Sequence, residues 1–240
     1  MSVLHESKLT LKLAVPLVIG QLSQMLPGLA DTVMVGHLGV TELAALTFAN
    51  ALFHIAFVFG MGLLTGVSVV TSNAKGAGNH AAVRASCRHG LYVALALSAL
   101  LFAISWVVSL ILHHFGQPAD VADRTVGFFR WIMLSTIPGL ASIALKNHAD
   151  ALNRPWPPFW ISISGVALNV FLNWVLIFGK FGAPALGLEG AAIATLIARV
   201  AIFVGILLWL VRAAGLKDLV PYHWLRAPDF SEIRKQLAVG

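Results

Sequence analysis

Asp31, Asn169, Asn173, Thr195 and Arg199 each interrupt a long apolar stretch of a 240-residue chain. Polar groups in hydrocarbon are costly, so those that persist usually face a protein interior and have a task. Asp31 can bind a proton or a small cation. It lies seven residues after Gln24, ten after Gln21 and four after Pro27, and on a helix positions 24 and 31 share a face. Asn169 and Asn173 are spaced i, i+4, which points both amides the same way. A static ion pair of Asp31 with Arg199 or Arg130 is the plainer alternative for the acid. For the asparagines the plainer role is hydrogen bonding between helices. For Thr195, Asn50, Gln21 and Gln24 packing is an equal alternative.

The elements that carry these residues follow from composition. The chain is 58% apolar and 11% charged, whereas soluble domains carry about 25% charged residues. Roughly 20 apolar residues at about 1.5 Å each cross the hydrocarbon layer. Six such runs occur, approximately Leu13 to Leu38, Leu43 to Thr71, Gly90 to Leu112, Thr125 to Leu145, Pro158 to Phe178, and Gly190 to Val211. They are too long and too continuously apolar for barrel strands. An all-α integral membrane protein is expected, with the first run retained as a helix because it is longer than a signal-peptide core and lacks a cleavage site.

Of the sixteen Lys and Arg residues, twelve fall on one side if the N-terminus is inside. Only Arg124 and Lys180 fall on the other, while Arg130 and Arg199 lie within spans. The positive-inside rule therefore gives N-in, C-in. The net charge of +6 thus reads as topology and contact with anionic headgroups, with no nucleic-acid partner. Depth follows from helix direction and rise. Asp31 lies roughly 12 Å below the outer boundary, as does Asn50. Asn173 and Asn169 lie roughly 10 and 16 Å below it, and Thr195 and Arg199 about 9 and 15 Å. They form one polar layer.

The histidines fall in loops, at helix ends, or as the diverging pair His113 and His114, so no metal site is expected. His54, within a span, is either a proton relay or a packed neutral ring. The lone Cys87 excludes an internal disulfide. No phosphate loop, zinc spacing or nucleophile elbow appears, and no enzyme is expected. Pro16 and Pro27 each remove a backbone donor from the first helix, so it bends or is easily bent.

The stretch LADTVMVGHLG (Leu29 to Gly39) and the segment LNVFLNWVLIFGKFGAPALGLEGAAIAT (Leu168 to Thr195) resemble the multidrug and toxic compound extrusion (MATE) family, most like its bacterial NorM-type members. KGAGN (Lys75 to Asn79) and LNRP (Leu152 to Pro155) extend the likeness across the chain. The resemblance implies an antiporter of the bacterial cytoplasmic (inner) membrane that expels organic cations and other drugs against H⁺ or Na⁺, with no other cofactor. It assigns cation coupling to Asp31, Asn169 and Asn173. Gln24 matches the glutamine facing that cavity, and Pro16 matches the bending proline; by depth alone, Asn50, Thr195 and Arg199 are further candidates to line the cavity. Some relatives carry an aspartate where this chain has Asn173.

Family members have twelve helices in two six-helix lobes. The expected organisation is therefore an N-terminal bundle over residues 1–212, then a cytoplasmic connector and the start of a seventh helix over 213–240. The second lobe is the expected partner beside the bilayer and the drug. A lipid-linked sugar flippase of related architecture, or a non-transporting membrane subunit, is the alternative. A flippase calls for a more cationic cavity, for which only Arg199 and Arg130 are available.

Overall fold

The computed structural model describes residues 26–224, 227 and 229–239. Within these the chain is helical: α1 (Leu26–Gly36), α2 (Val40–Gly76), α3 (His80–Ile111), α4 (Ala119–Leu134), α5 (Thr136–Ala151), α6 (Trp156–Phe178), α7 (Gly187–Arg212) and α8 (Phe230–Val239). Five segments are long and apolar enough to cross a membrane: α2, α3 with its following 3-10 turn, α4 and α5 taken together, α6, and α7. Of the expected first span, Leu13 to Leu38, only the part from Leu26 lies within the described residues. The 37 residues of α2 reach about 55 Å at 1.5 Å each, well beyond the hydrocarbon layer.

The helix faces are inverted relative to a soluble protein. On α3 the buried side carries Ala94, Ser98, Ser105 and Ser109, while Leu100, Ile104, Val107 and Ile111 are exposed. The serine hydroxyls donate to the carbonyls of Leu95, Phe102 and Trp106. Polar groups thus stay satisfied within the helix, and bulky apolar groups face lipid.

The fourth span is two helices, not the single run from Thr125 to Leu145 expected from hydropathy. Pro138 has no N–H and its ring clashes with the carbonyl four residues earlier, that of Leu134, where α4 ends. Ser135 and Thr136 donate instead to the carbonyls of Ile132 and Met133, at 2.6 and 2.7 Å. Both hydroxyls at the interruption are therefore satisfied inside the bundle.

α6 and α7 form the tightest hairpin. At Gly179, which closes α6 with φ +66, the chain turns where a side chain would be strained. A Cβ on Gly190 would lie 2.7 Å from the carbonyl oxygen of Leu176. Only glycine allows this backbone approach, which brings the polar positions of the two helices together.

One end of the bundle carries Lys75, Arg84, Arg88, Lys146, Arg154 and Arg212, and the other Arg124 and Lys180. The positive-inside rule makes the first end cytoplasmic. There the segment after α7 lies on the bundle: Arg84 donates to the Asp218 carbonyl at 2.7 Å, and Tyr92 to that of Trp224. Beneath it is a buried chain of polar groups. Thr71 bonds Ser86 at 3.0 Å and His148 Nδ1 at 3.2 Å, His148 Nε2 reaches the Leu219 carbonyl, and Gln236 of α8 donates to Ser86.

Candidate functional site

α1 packs against α2, α6 and α7, and this placement encloses Asp31, which is 4% exposed. Asn173 Nδ2 of α6 donates to Asp31 Oδ1 at 2.5 Å, and Thr195 Oγ1 of α7 donates to Asp31 Oδ2 at 3.4 Å. Asn169 Nδ2 donates to Thr195 Oγ1 at 3.1 Å, and its Oδ1 lies 3.4 Å from Asn173 Nδ2. All four residues are buried. The i, i+4 pair on α6 and the close approach at Gly190 thus place two amides and a hydroxyl around one carboxylate.

Among the described residues Asp31 forms no ion pair. Arg130 instead donates to Ser109 Oγ at 3.2 Å and lies over the Trp106 ring, 4.6 Å from its centre. Arg199 donates to Ser135 Oγ at 2.8 Å and lies 4.8 and 4.7 Å from the Phe53 and Phe57 ring centres. Asn173 Oδ1 is buried with no hydrogen-bond partner. The groups that face the carboxylate are an amide N–H and a hydroxyl, which hold it as an acceptor, and the amide oxygen of Asn173 is the one buried oxygen of the cluster without a partner.

The other expected residues are placed differently. Asn50 is half-buried, and its side chain is not among those bonded to the Asp31 cluster. Its carbonyl accepts from His54 Nδ1 at 2.7 Å, and His54 points outward, not into the core. Pro27 lies one turn before Asp31 on α1. Gln21, Gln24 and Pro16 lie outside the described residues. Sequence reasoning missed Ser135, Phe53 and Phe57 as the surroundings of Arg199. The available signals were Pro138 just after two hydroxyl residues, and the i, i+4 spacing of the two phenylalanines.

The MatE family model matches residues 16–175. The chain belongs to the MatE family. It is 34% identical to the probable multidrug resistance protein NorM of Bradyrhizobium diazoefficiens over 96% of this chain and 50% of that protein. It is 30% identical to the multidrug resistance protein MdtK of Photorhabdus laumondii over 99% of this chain and 52% of that one. The bent form of the Vibrio cholerae MATE transporter VcmN superposes with a TM-score of 0.80 at 24% identity, covering 96% of this chain and 51% of that chain.

The chain therefore spans about half the length of the curated relatives it matches and has the fold of half a MATE transporter. It is a multi-pass protein of the bacterial inner membrane. MATE proteins are transporters and not, in general, enzymes.

Proposed function

We propose that this chain is the N-terminal lobe of an antiporter that exports drugs and organic cations in exchange for H⁺ or Na⁺, with the coupling cation held at Asp31. The observation that carries this is a buried carboxylate ringed by neutral oxygen-bearing side chains, with Asn173 Oδ1 lacking a partner. An ionised carboxylate in hydrocarbon needs a positive partner. With no cationic side chain paired to Asp31, an exchangeable cation is the simplest supply. The names of NorM and MdtK, both multidrug resistance proteins, support drug as the other substrate.

Asn173 and Thr195 donate to the carboxylate and orient it, and Asn169 donates to Thr195 and accepts from Asn173. On this reading residues 1–212 are the lobe and 213–240 the connector toward a second six-helix lobe, and Pro27, one turn before Asp31, is a place where the first helix can bend. Drug and cation favour opposite conformations, so each weakens the binding of the other by the same factor.

Replacing Asn173 by Ala in the complete transporter tests this. Cation-driven drug efflux is expected to fall about tenfold, and the cation concentration for half-maximal efflux to rise. Asn169→Ala is expected to act in the same direction. If the amides only join helices, each change instead lowers stability by about 0.6–2 kcal/mol, seen as a lower melting temperature with unchanged cation dependence. That result would reject their place in the site.

A further inference from the structure

Arg199 is a cation in the bilayer interior that forms no ion pair among the described residues. Its anchors are the Ser135 hydroxyl at 2.8 Å and the faces of Phe53 and Phe57, all neutral. A strut arginine at this depth ordinarily pairs with a carboxylate. The site is nevertheless built to hold it. Ser135 is the residue at which the fourth span breaks, and a Cβ on Gly139 would come within 3.4 Å of Arg199 Cδ, so glycine there leaves room for the side chain.

Arg199 follows Thr195 by one turn on the same face of α7, and Thr195 donates to Asp31. The arginine backbone is thus about 6 Å along the helix from that of the residue touching the carboxylate. Among the described residues the two charges form no ion pair, and opposite charges on neighbouring turns of a low-dielectric interior attract without touching. The other charged or titratable groups nearby are engaged elsewhere. Arg130 is held by Ser109 and Trp106, His54 points away from the core to the Asn50 carbonyl, and Lys146 pairs with Asp150 at the cytoplasmic end.

We propose that Arg199 is a tethered competitor of the coupling cation, a fixed positive charge that draws on the negative charge of Asp31 and thereby lowers cation affinity and favours release. This rests on Asp31 as the coupling site. Two positive charges that share one carboxylate repel, and at an effective dielectric of about 20 a separation of about 12 Å between them makes the effect roughly tenfold in affinity. The neutral clamp engages the guanidinium with Ser135, Phe53 and Phe57, so the charge acts on the site without occupying it.

The test is a sodium titration at fixed pH, and a proton titration without sodium, of the complete transporter in detergent, followed by tryptophan fluorescence. Arg199→Met keeps the length to pack between Phe53 and Phe57, and should move the midpoint to a roughly tenfold lower cation concentration. Arg199→Lys should stay near the parent. Ser135→Ala frees the guanidinium toward Asp31 and should move the midpoint the opposite way, so the proposal stays testable if Arg199→Met does not fold. Unchanged midpoints in both Arg199→Met and Ser135→Ala, with lowered melting temperatures, would overturn it and leave Arg199 a strut. Asp31→Asn separates the two levels. If it abolishes the titration while the Arg199 and Ser135 variants match the parent, only the competitor role fails; if it titrates like the parent, the coupling site itself fails.

Discussion

Asp31→Asn in the complete transporter is expected to reduce cation-driven drug efflux by about 100-fold, the upper range of coupling between two ligands, while leaving the protein in the membrane at normal abundance. The substitution is close to isosteric, so the hydrogen bonds from Asn173 and Thr195 can persist in altered form. What disappears is the negative charge. Without it the site can neither take up a proton nor offer a cation its one charged ligand. Drug resistance of cells that express the variant, beside its abundance by immunoblot, checks the result. Normal resistance would remove Asp31 from coupling.

The second large effect concerns the chain by itself, which is expected to insert and to transport nothing. In alternating access one bundle rocks against another around a central site, and this chain spans about half the length of its relatives. The measurement is drug movement in proteoliposomes under an imposed proton or sodium gradient, for the chain alone and for the chain co-reconstituted with the C-terminal half of a related transporter. Transport is expected only in the second case. Gradient-driven movement by the chain alone would make a homodimer the working model.

Much of the fold was legible because span length and i, i+4 spacing are local properties. The lengths of the apolar runs located the helices, and depth counted from their outer ends put Asp31, Asn169, Asn173 and Thr195 in one layer, where the structure brings them into contact. Depth does not give azimuth, however. Asn50 was counted into the same layer, but α2 is apolar around most of its circumference, so nothing local said which way the amide turns. The break at Ser135 was signalled by Pro138, but hydropathy averages over it.

The neutral clamp on Arg199 was not legible, because charge invites a search for an acid and the partners are two rings and a hydroxyl from other helices. The polar chain through Thr71, Ser86 and His148 to Leu219 and Gln236 was equally hidden. It joins residues far apart in sequence that only the tertiary fold assembles.

The most direct test of exchange at Asp31 is release of the bound cation by drug. The complete transporter, loaded with ²²Na⁺ or held in weakly buffered solution with a pH dye, is mixed with an organic-cation drug. The proposal predicts cation release that saturates with drug at about one cation per protein, absent in Asp31→Asn although that variant still binds drug. Drug binding without cation release, or equal release from Asp31→Asn, would contradict it.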